Sequence, residues 1–167
     1  MDTSDTALDR LARRLGERLL AQDLYLTCAE SCTGGWIAKT LTDIPGSSQW
    51  FERGFVTYSN AAKQELLGVP AAVLERHGAV SEACVRAMTE GALRHSRAHL
   101  AVAVSGIAGP SGGSPEKPVG LVWIAWESTP QGRTLAHAHH FQGDREAIRR
   151  QAVATALSGV LQLIDER

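Results

Sequence analysis

Hydrophobic residues recur along this chain at two different spacings, which predict a succession of helices and strands. Near the amino terminus, leucine and alanine residues follow the three-and-four spacing of an amphipathic helix, and this pattern predicts a helix over residues 5–21. Similar spacing, bounded by capping serine, asparagine, glycine and proline residues, predicts helices over 34–42, 61–67, 70–76, 81–95 and 144–163.

Short apolar runs between these helices predict five strands, over 24–29, 54–58, 100–104, 119–127 and 133–141. The third run is apolar on both faces, which is typical of a central strand covered on both sides. The last two runs are joined by a turn containing Pro130 and Gly132, which predicts an antiparallel hairpin. The fold class predicted is therefore α/β, a three-layer α/β/α sandwich with a five-stranded, partly mixed sheet. We expect one domain over residues 1–167.

The first candidate for chemistry is the junction Cys-Ala-Glu-Ser-Cys-Thr-Gly-Gly, where the first strand is predicted to turn directly into a helix. The junction puts the Ser31 hydroxyl at the carboxyl end of the strand and aims backbone N–H groups of Cys32, Thr33 and Gly34 at its target. A nucleophile beside fixed N–H donors is what acyl transfer requires. The structural alternative is an N-cap serine, with Gly34 and Gly35 allowing close helix–strand packing. Taken alone, the turn favours this alternative, and two later segments change the balance.

The second candidate segment contains Lys63. If Asn60 caps the helix over 61–67, Lys63 lies in its first turn, where the helix dipole and burial lower the pKa of the amine. A lysine general base requires that shift. The alternative is an exposed lysine whose long stem bends toward solvent. Tyr58 faces the same sheet edge as Ser31 if their strands are parallel, and such a Ser–Lys–Tyr set can hydrolyse an amide without a metal.

The third candidate is the glycine- and serine-rich loop predicted over residues 105–118. Long loops in compact domains tend to be functional, and glycines let backbone N–H groups approach a phosphate or a ribose. The alternative is a surface loop between two strands. Arg145, at the start of the last helix, could clamp a phosphate or pair with a surface carboxylate. The loop residues predicted to bind ligand are Ser105, Gly106, Gly109, Ser111, Gly112 and Gly113.

Composition and charge narrow the function classes. The net charge is −1, so the sequence lacks the excess of positive charge that is typical of nucleic-acid-binding domains. The apolar runs are too short to span a bilayer, and the polar amino terminus lacks the apolar region of a signal peptide. We therefore expect a cytoplasmic protein whose three cysteines are reduced thiols. His137 and His139 share a strand face, but no acidic residue or cysteine stands nearby at ligand spacing, so no metal site is predicted.

Four motifs in order carry a family resemblance: residues 29–35, residues 54–60 with Lys63, residues 77–81, and residues 105–110 with 117–120. Together they resemble the C-terminal domain of the competence/damage-inducible protein CinA, the nicotinamide-nucleotide amidohydrolase family. The resemblance covers about residues 8 to 163, and the chain looks like a stand-alone version of that domain.

The resemblance implies hydrolysis of the amide of nicotinamide mononucleotide (NMN) to nicotinate mononucleotide and ammonia, in bacterial pyridine nucleotide recycling. It implies a serine nucleophile at Ser31, activated by Lys63 and Tyr58. It also implies a nucleotide-binding edge formed by residues 33–35 and 105–113, where Ser105 stands in place of the threonine of many relatives. The partner implied is a small-molecule nucleotide, with no cofactor, metal, nucleic acid or membrane.

Two other classes of function stay open. One is a catalytically inactive nucleotide-binding regulatory module, and the other is an amidase or esterase for a different small substrate. Assembly as a homodimer also stays open.

Overall fold

Helices and strands alternate along the computed structural model, which describes residues 1–166. The helices are α1 (Asp5–Ala21), α2 (Trp36–Thr42), α3 (Asn60–Leu67), α4 (Ala71–His77), α5 (Glu82–Arg94) and α6 (Arg145–Asp165). The strands are β1 (Leu26–Glu30), β2 (Phe51–Val56), β3 (Leu100–Gly106), β4 (Leu121–Ser128) and β5 (Arg133–His140). A short 3₁₀ helix, Ser47–Gln49, precedes β2.

The strands form one mixed sheet in the order β2-β1-β3-β4-β5. The neighbours β2, β1 and β3 run parallel, whereas β4 and β5 run antiparallel to their neighbours. Glu30 at the end of β1 is in register with Val56 on β2 and with Val104 on β3. The carboxyl ends of the three parallel strands therefore meet at one edge of the sheet, which is where ligands bind in open α/β sheets.

Helices cover both faces of this sheet. On one face α1, α2 and α6 pack on each other and on the strands, and on the other face α5 packs on the strands with α3 and α4 beside it. In β3, Val102 and Val104 belong to the first apolar core, whereas Ala101 and Ala103 belong to the second. The predicted three-layer α/β/α fold with a five-stranded mixed sheet, including its doubly covered third strand, is thus confirmed.

Several predicted boundaries were wrong. Strand β2 begins at Phe51 rather than at residue 54, because it is an edge strand whose charged Glu52 and Arg53 hide the apolar alternation. Helix α2 begins at Trp36 rather than at residue 34, because Gly34 and Gly35 have left-handed φ angles of 60° and 101°.

The cap of α3 also differs from the prediction, because it is Ser59 rather than Asn60. The Ser59 hydroxyl accepts a hydrogen bond from the backbone N–H of Ala62 at 3.0 Å. Strand β3 continues to Gly106, so Ser105 and Gly106 end a strand rather than open a loop. Among residues 1–166, no helix is both long and apolar enough to cross a membrane.

Candidate active site

A buried lysine faces the predicted nucleophile at the carboxyl edge of the sheet. The amine Nζ of Lys63 lies 3.1 Å from the hydroxyl Oγ of Ser31 and donates to the backbone carbonyl of Thr57 at 3.0 Å. Only 1% of Lys63 is exposed, and this burial lowers the pKa of its amine below the ordinary 10.5. Within the described part of the chain, no carboxylate forms an ion pair with Lys63. The lowered pKa increases the neutral fraction of the amine, and the neutral amine is the form that can accept the hydroxyl proton.

Parallel strand pairing explains why these two side chains meet although they are 32 residues apart. The backbone N–H of Ser31 donates to the carbonyl of Val104 on β3 at 3.0 Å. On the other side, the N–H of Thr57 donates to the carbonyl of Glu30 at 2.8 Å. Thr57 directly follows β2 and Glu30 ends β1, so this hydrogen bond keeps the chain beside β1 after β2 has ended. The Ser59 cap then starts α3, whose first turn brings Lys63 back to the strand ends.

Ser31 and Lys63 open into a cavity of about 290 Å³. Most residues predicted to form the site line this cavity, and they come from the ends of β1 and β3, the loop after β3 and the starts of α3 and α6. The predicted residues among its lining are Ser31, Cys32, Tyr58, Lys63, Ser105, Gly106, Gly109, Ser111, Gly112 and Arg145.

Three lining residues, Asn60, Ala79 and Val80, lie outside the predicted site. Ile107 and Ala108 fall within the implied binding edge 105–113 but were not predicted individually. In the sequence Asn60 shows only the pattern of a helix cap, and the apolar pairs at 79–80 and 107–108 carry no chemical signal of their own. The motif at residues 77–81 in the family resemblance was the one signal that could have pointed to Ala79 and Val80.

Tyr58 lies at the mouth of the cavity with 61% of its surface exposed. Its hydroxyl accepts a hydrogen bond from the guanidinium of Arg145 at 3.0 Å, and Arg145 also donates to the carbonyl of Gly109 at 2.7 Å. Within residues 1–166, no hydrogen bond joins Tyr58 to Ser31 or Lys63. This geometry groups Tyr58 with Arg145 and the loop after β3 rather than with the Ser–Lys pair.

Four predicted binding residues lie outside the cavity. Thr33, Gly34 and Gly35 line a separate depression beside Arg149. Gly113 packs against the chain instead, since a Cβ there would lie 2.8 Å from the backbone nitrogen of Val119.

The donors expected next to Ser31 are also arranged differently from the prediction. The N–H of Gly34 donates to the carbonyl of Ser31 at 3.0 Å, so it is already engaged. Cys32 lines the cavity, and its backbone N–H donates to no acceptor among the described residues. The N–H of Thr33 also donates to no acceptor among the described residues, but Thr33 does not line the cavity. Of the three predicted donors, Cys32 is therefore the one that combines an unengaged N–H with a place in the cavity lining.

The cysteines near Ser31 and Lys63 are less suited than Ser31 to act as the nucleophile. All three cysteines are free and buried, as predicted for reduced thiols. Burial raises the pKa of Cys32 to about 12 and that of Cys84 to about 11. Both thiols are thus protonated near neutral pH, and a protonated thiol is a weak nucleophile.

His137 and His139 lie in a different part of the molecule. They line a cavity of about 540 Å³ that also contains Trp126 on β4 and Leu163 on α6. Burial lowers the pKa of His139. Among the described residues, no group of three or more His, Cys, Asp or Glu side chains is placed to hold a metal ion.

Comparison with known proteins identifies the class to which this fold and site belong. The sequence model of the CinA C-terminal domain matches residues 8–164, and the chain belongs to that family. The family resemblance stated from the sequence is thereby confirmed.

Individual relatives align over almost their whole length. The chain is 54% identical to the nicotinamide-nucleotide amidohydrolase PncC of Escherichia coli (strain K12), over 95% of this chain and 96% of the relative. It is 56% identical to the Pseudomonas putida protein of the same name, over 92% and 94% of the two chains. Among solved structures, the competence/damage inducible protein CihA from Agrobacterium tumefaciens superposes with a TM-score of 0.91 at 47% identity, covering 94% of this chain and 95% of that chain.

Proposed function

We propose that this protein is a nicotinamide-nucleotide amidohydrolase, which converts NMN to nicotinate mononucleotide and ammonia in pyridine nucleotide recycling. The observation that carries the proposal is the buried Lys63 amine 3.1 Å from the Ser31 hydroxyl, in a cavity that also contains Arg145. The names of the E. coli and P. putida relatives support the choice of substrate.

The proposed reaction begins with attack of Ser31 Oγ on the carboxamide carbon, while neutral Lys63 accepts the hydroxyl proton. The N–H of Cys32 stabilises the resulting oxyanion, a contribution of about 3 kcal/mol per donor in comparable sites. Protonated Lys63 then gives its proton to the leaving nitrogen, and ammonia departs from the acyl-enzyme. Water, deprotonated by the same amine, attacks the ester and restores Ser31. The cationic pyridinium ring of NMN makes its amide a better electrophile than an ordinary amide.

The phosphate of NMN is assigned to the other end of the cavity, at Arg145 and the loop residues Ser111 and Gly112. Tyr58 contributes there through its hydrogen bond with Arg145. This contact favours a binding role for Tyr58 over the activation of Ser31 that the family resemblance implies.

Ammonia release from NMN by wild-type protein and by Ser31→Ala tests the proposal. We expect turnover by the wild type and none by a Ser31→Ala protein that folds normally, because the hydroxyl is the attacking group. A wild type that binds NMN without releasing ammonia would instead fit the regulatory module, and release from other amides alone would fit a different amidase.

A further inference from the structure

A fully buried carboxylate holds the turn that carries the nucleophile. Glu30, the last residue of β1, has 0% of its surface exposed. Its Oε1 accepts hydrogen bonds from the hydroxyl of Thr33 at 2.6 Å and from the backbone N–H of Ile37 at 2.8 Å. Its Oε2 accepts from the N–H of Ala38 at 3.0 Å and from the thiol of Cys28 at 3.7 Å. Each carboxylate oxygen therefore has two donors.

These contacts supply the cap that α2 lacks. The cap residue Gly35 has no side chain that could accept a hydrogen bond. Ile37 and Ala38 are the second and third residues of α2. A capping side chain normally accepts a hydrogen bond from the backbone N–H of one of these two positions. Glu30 reaches both from seven and eight residues upstream. The carboxylate thus links the start of α2 to the end of β1. It fixes the distance between the two ends of residues 31–35, the nucleophile turn.

A guanidinium holds the same turn from the side of α6. Arg149 donates through Nε to the carbonyl of Cys32 and through a terminal nitrogen to the carbonyl of Thr33, both at 3.0 Å. In a trans peptide the carbonyl and the following N–H point in opposite directions, so Arg149 also sets the direction of the Gly34 N–H. That N–H donates to the carbonyl of Ser31, which in turn orients the N–H of Cys32.

We propose that Glu30 and Arg149 are positioning residues that hold the nucleophile turn between them and so set the place of Ser31 Oγ and of the Cys32 N–H. Neither side chain lines the cavity, so they act without touching the substrate. The inference rests on the proposed function, because it assigns them a part in the same acyl transfer. A displacement of about 1 Å in a reacting group costs about a hundredfold in rate, which makes the turn sensitive to its supports.

The variant Glu30→Gln tests this role because it keeps the shape but puts an NH₂ group where a carboxylate oxygen accepts. We expect kcat to fall about 10- to 100-fold while KM changes less than about threefold. Without substrate, we expect hydrogen exchange of the Ile37 and Ala38 amides to accelerate about tenfold or more. The matched control is Thr27→Val, also buried on β1, which loses the hydrogen bond from its hydroxyl to the carbonyl of Arg53 at 2.7 Å. It should lose stability and keep kcat.

Arg149→Lys provides a second variant if Glu30→Gln does not fold. An ammonium cannot hold two carbonyls in the planar fork of a guanidinium, so kcat should again fall with little change in KM. Wild-type kcat in either folded variant would overturn the inference while leaving the proposed function intact. If wild-type protein released no ammonia, the proposed function would fall instead. Hydrogen exchange would still test whether Glu30 holds the nucleophile turn. Unchanged exchange of the Ile37 and Ala38 amides in Glu30→Gln would overturn the inference.

Discussion

At the scale of single residues, the main feature of this protein is a buried lysine that has no anionic partner among residues 1–166. Lys63 is 1% exposed, and its amine contacts the carbonyl of Thr57 and the hydroxyl of Ser31. Burial of a cation with neutral partners is unfavourable, so the environment favours the unprotonated amine. If Lys63 is the base of the proposed reaction, stability and catalysis make opposite demands on this position.

Replacing Lys63 with Met should abolish turnover without weakening the fold. We expect the free energy of unfolding near neutral pH to rise by about 1–2 kcal/mol, because the buried amine and its desolvation cost are removed. Denaturant unfolding and ammonia release measure the two effects. An inactive variant with a lower unfolding free energy would show that the amine stabilises the fold, contrary to this view.

The pH dependence of stability should identify the same group. Because the folded-state pKa of Lys63 lies below its ordinary value of 10.5, the unfolded chain binds more protons between those two pKa values. Unfolding free energy should therefore gain a rising contribution with pH in that window, and Lys63→Met should lack it. Identical pH–stability curves for wild type and variant would contradict the lowered pKa.

The pH dependence of the rate provides the corresponding kinetic test. With Lys63 as base, kcat should rise with pH through an apparent pKa below 10.5. Lys63→Arg should not restore activity, since a guanidinium does not act as a base near neutral pH. A pH-independent kcat, or full activity in Lys63→Arg, would mean that the residue acts as a fixed charge.

At the scale of elements, two segments distant in sequence form parts of the cavity wall. One wall contains Ala79 and Val80 after α4, and the other is the loop after β3. Lys117, at the end of that loop, donates to the carbonyl of His77 at 2.5 Å. This hydrogen bond joins the loop to the C-terminal end of α4, where cations also interact favourably with the helix dipole.

Lys117→Met should therefore remove the hydrogen bond that joins the loop after β3 to α4, without altering the Ser–Lys pair. We expect KM for NMN to rise about three- to tenfold with kcat nearly unchanged, because substrate and transition state lose the same binding. Steady-state kinetics measure both constants. Arg94→Met is the control, because it removes an exposed cation that pairs with Glu90 on α5, outside the cavity. A larger loss in kcat than in KM would place Lys117 in the chemistry.

At the scale of the whole molecule, the proposed function assigns the reaction and the binding of phosphate to residues from different parts of the chain. Ser31 follows β1 and Lys63 belongs to α3, whereas Arg145 opens α6 and contacts the loop after β3 at Gly109. Binding energy from a remote phosphate at Arg145 can align the carboxamide on Ser31. In the proposed function, phosphate recognition and reaction thus use different residues of one cavity.

Nicotinamide riboside, which lacks only the phosphate, should be a much poorer substrate than NMN. In the wild type we expect kcat/KM to be about 100-fold lower for the riboside than for NMN. Arg145→Met should lower kcat/KM for NMN and leave that for the riboside unchanged, so that the two values become similar. Comparable kcat/KM for both substrates in wild type would mean that this end does not bind phosphate. The assignment of NMN would then fail.

The sequence by itself determined the layers of this protein and the candidate residues for its chemistry. The apolar run at β3 marked a doubly covered central strand, because burial on both faces removes the polar alternation. The residue types at Ser31 and Lys63 made them candidates for an acyl-transfer pair, and the structure brings the two side chains into contact. Such patterns report burial and chemical capacity, which depend on local sequence.

Only the tertiary structure decided how the side chains are directed. The left-handed Gly34 and Gly35 turn residues 33–35 away from the cavity, and Tyr58 pairs with Arg145, a residue 87 positions later. Glu30 showed no sequence sign of its role, because its hydrogen-bond donors become neighbours only when α2 packs against β1. These directions depend on contacts between segments far apart in sequence, and hydrophobic periodicity does not record such contacts.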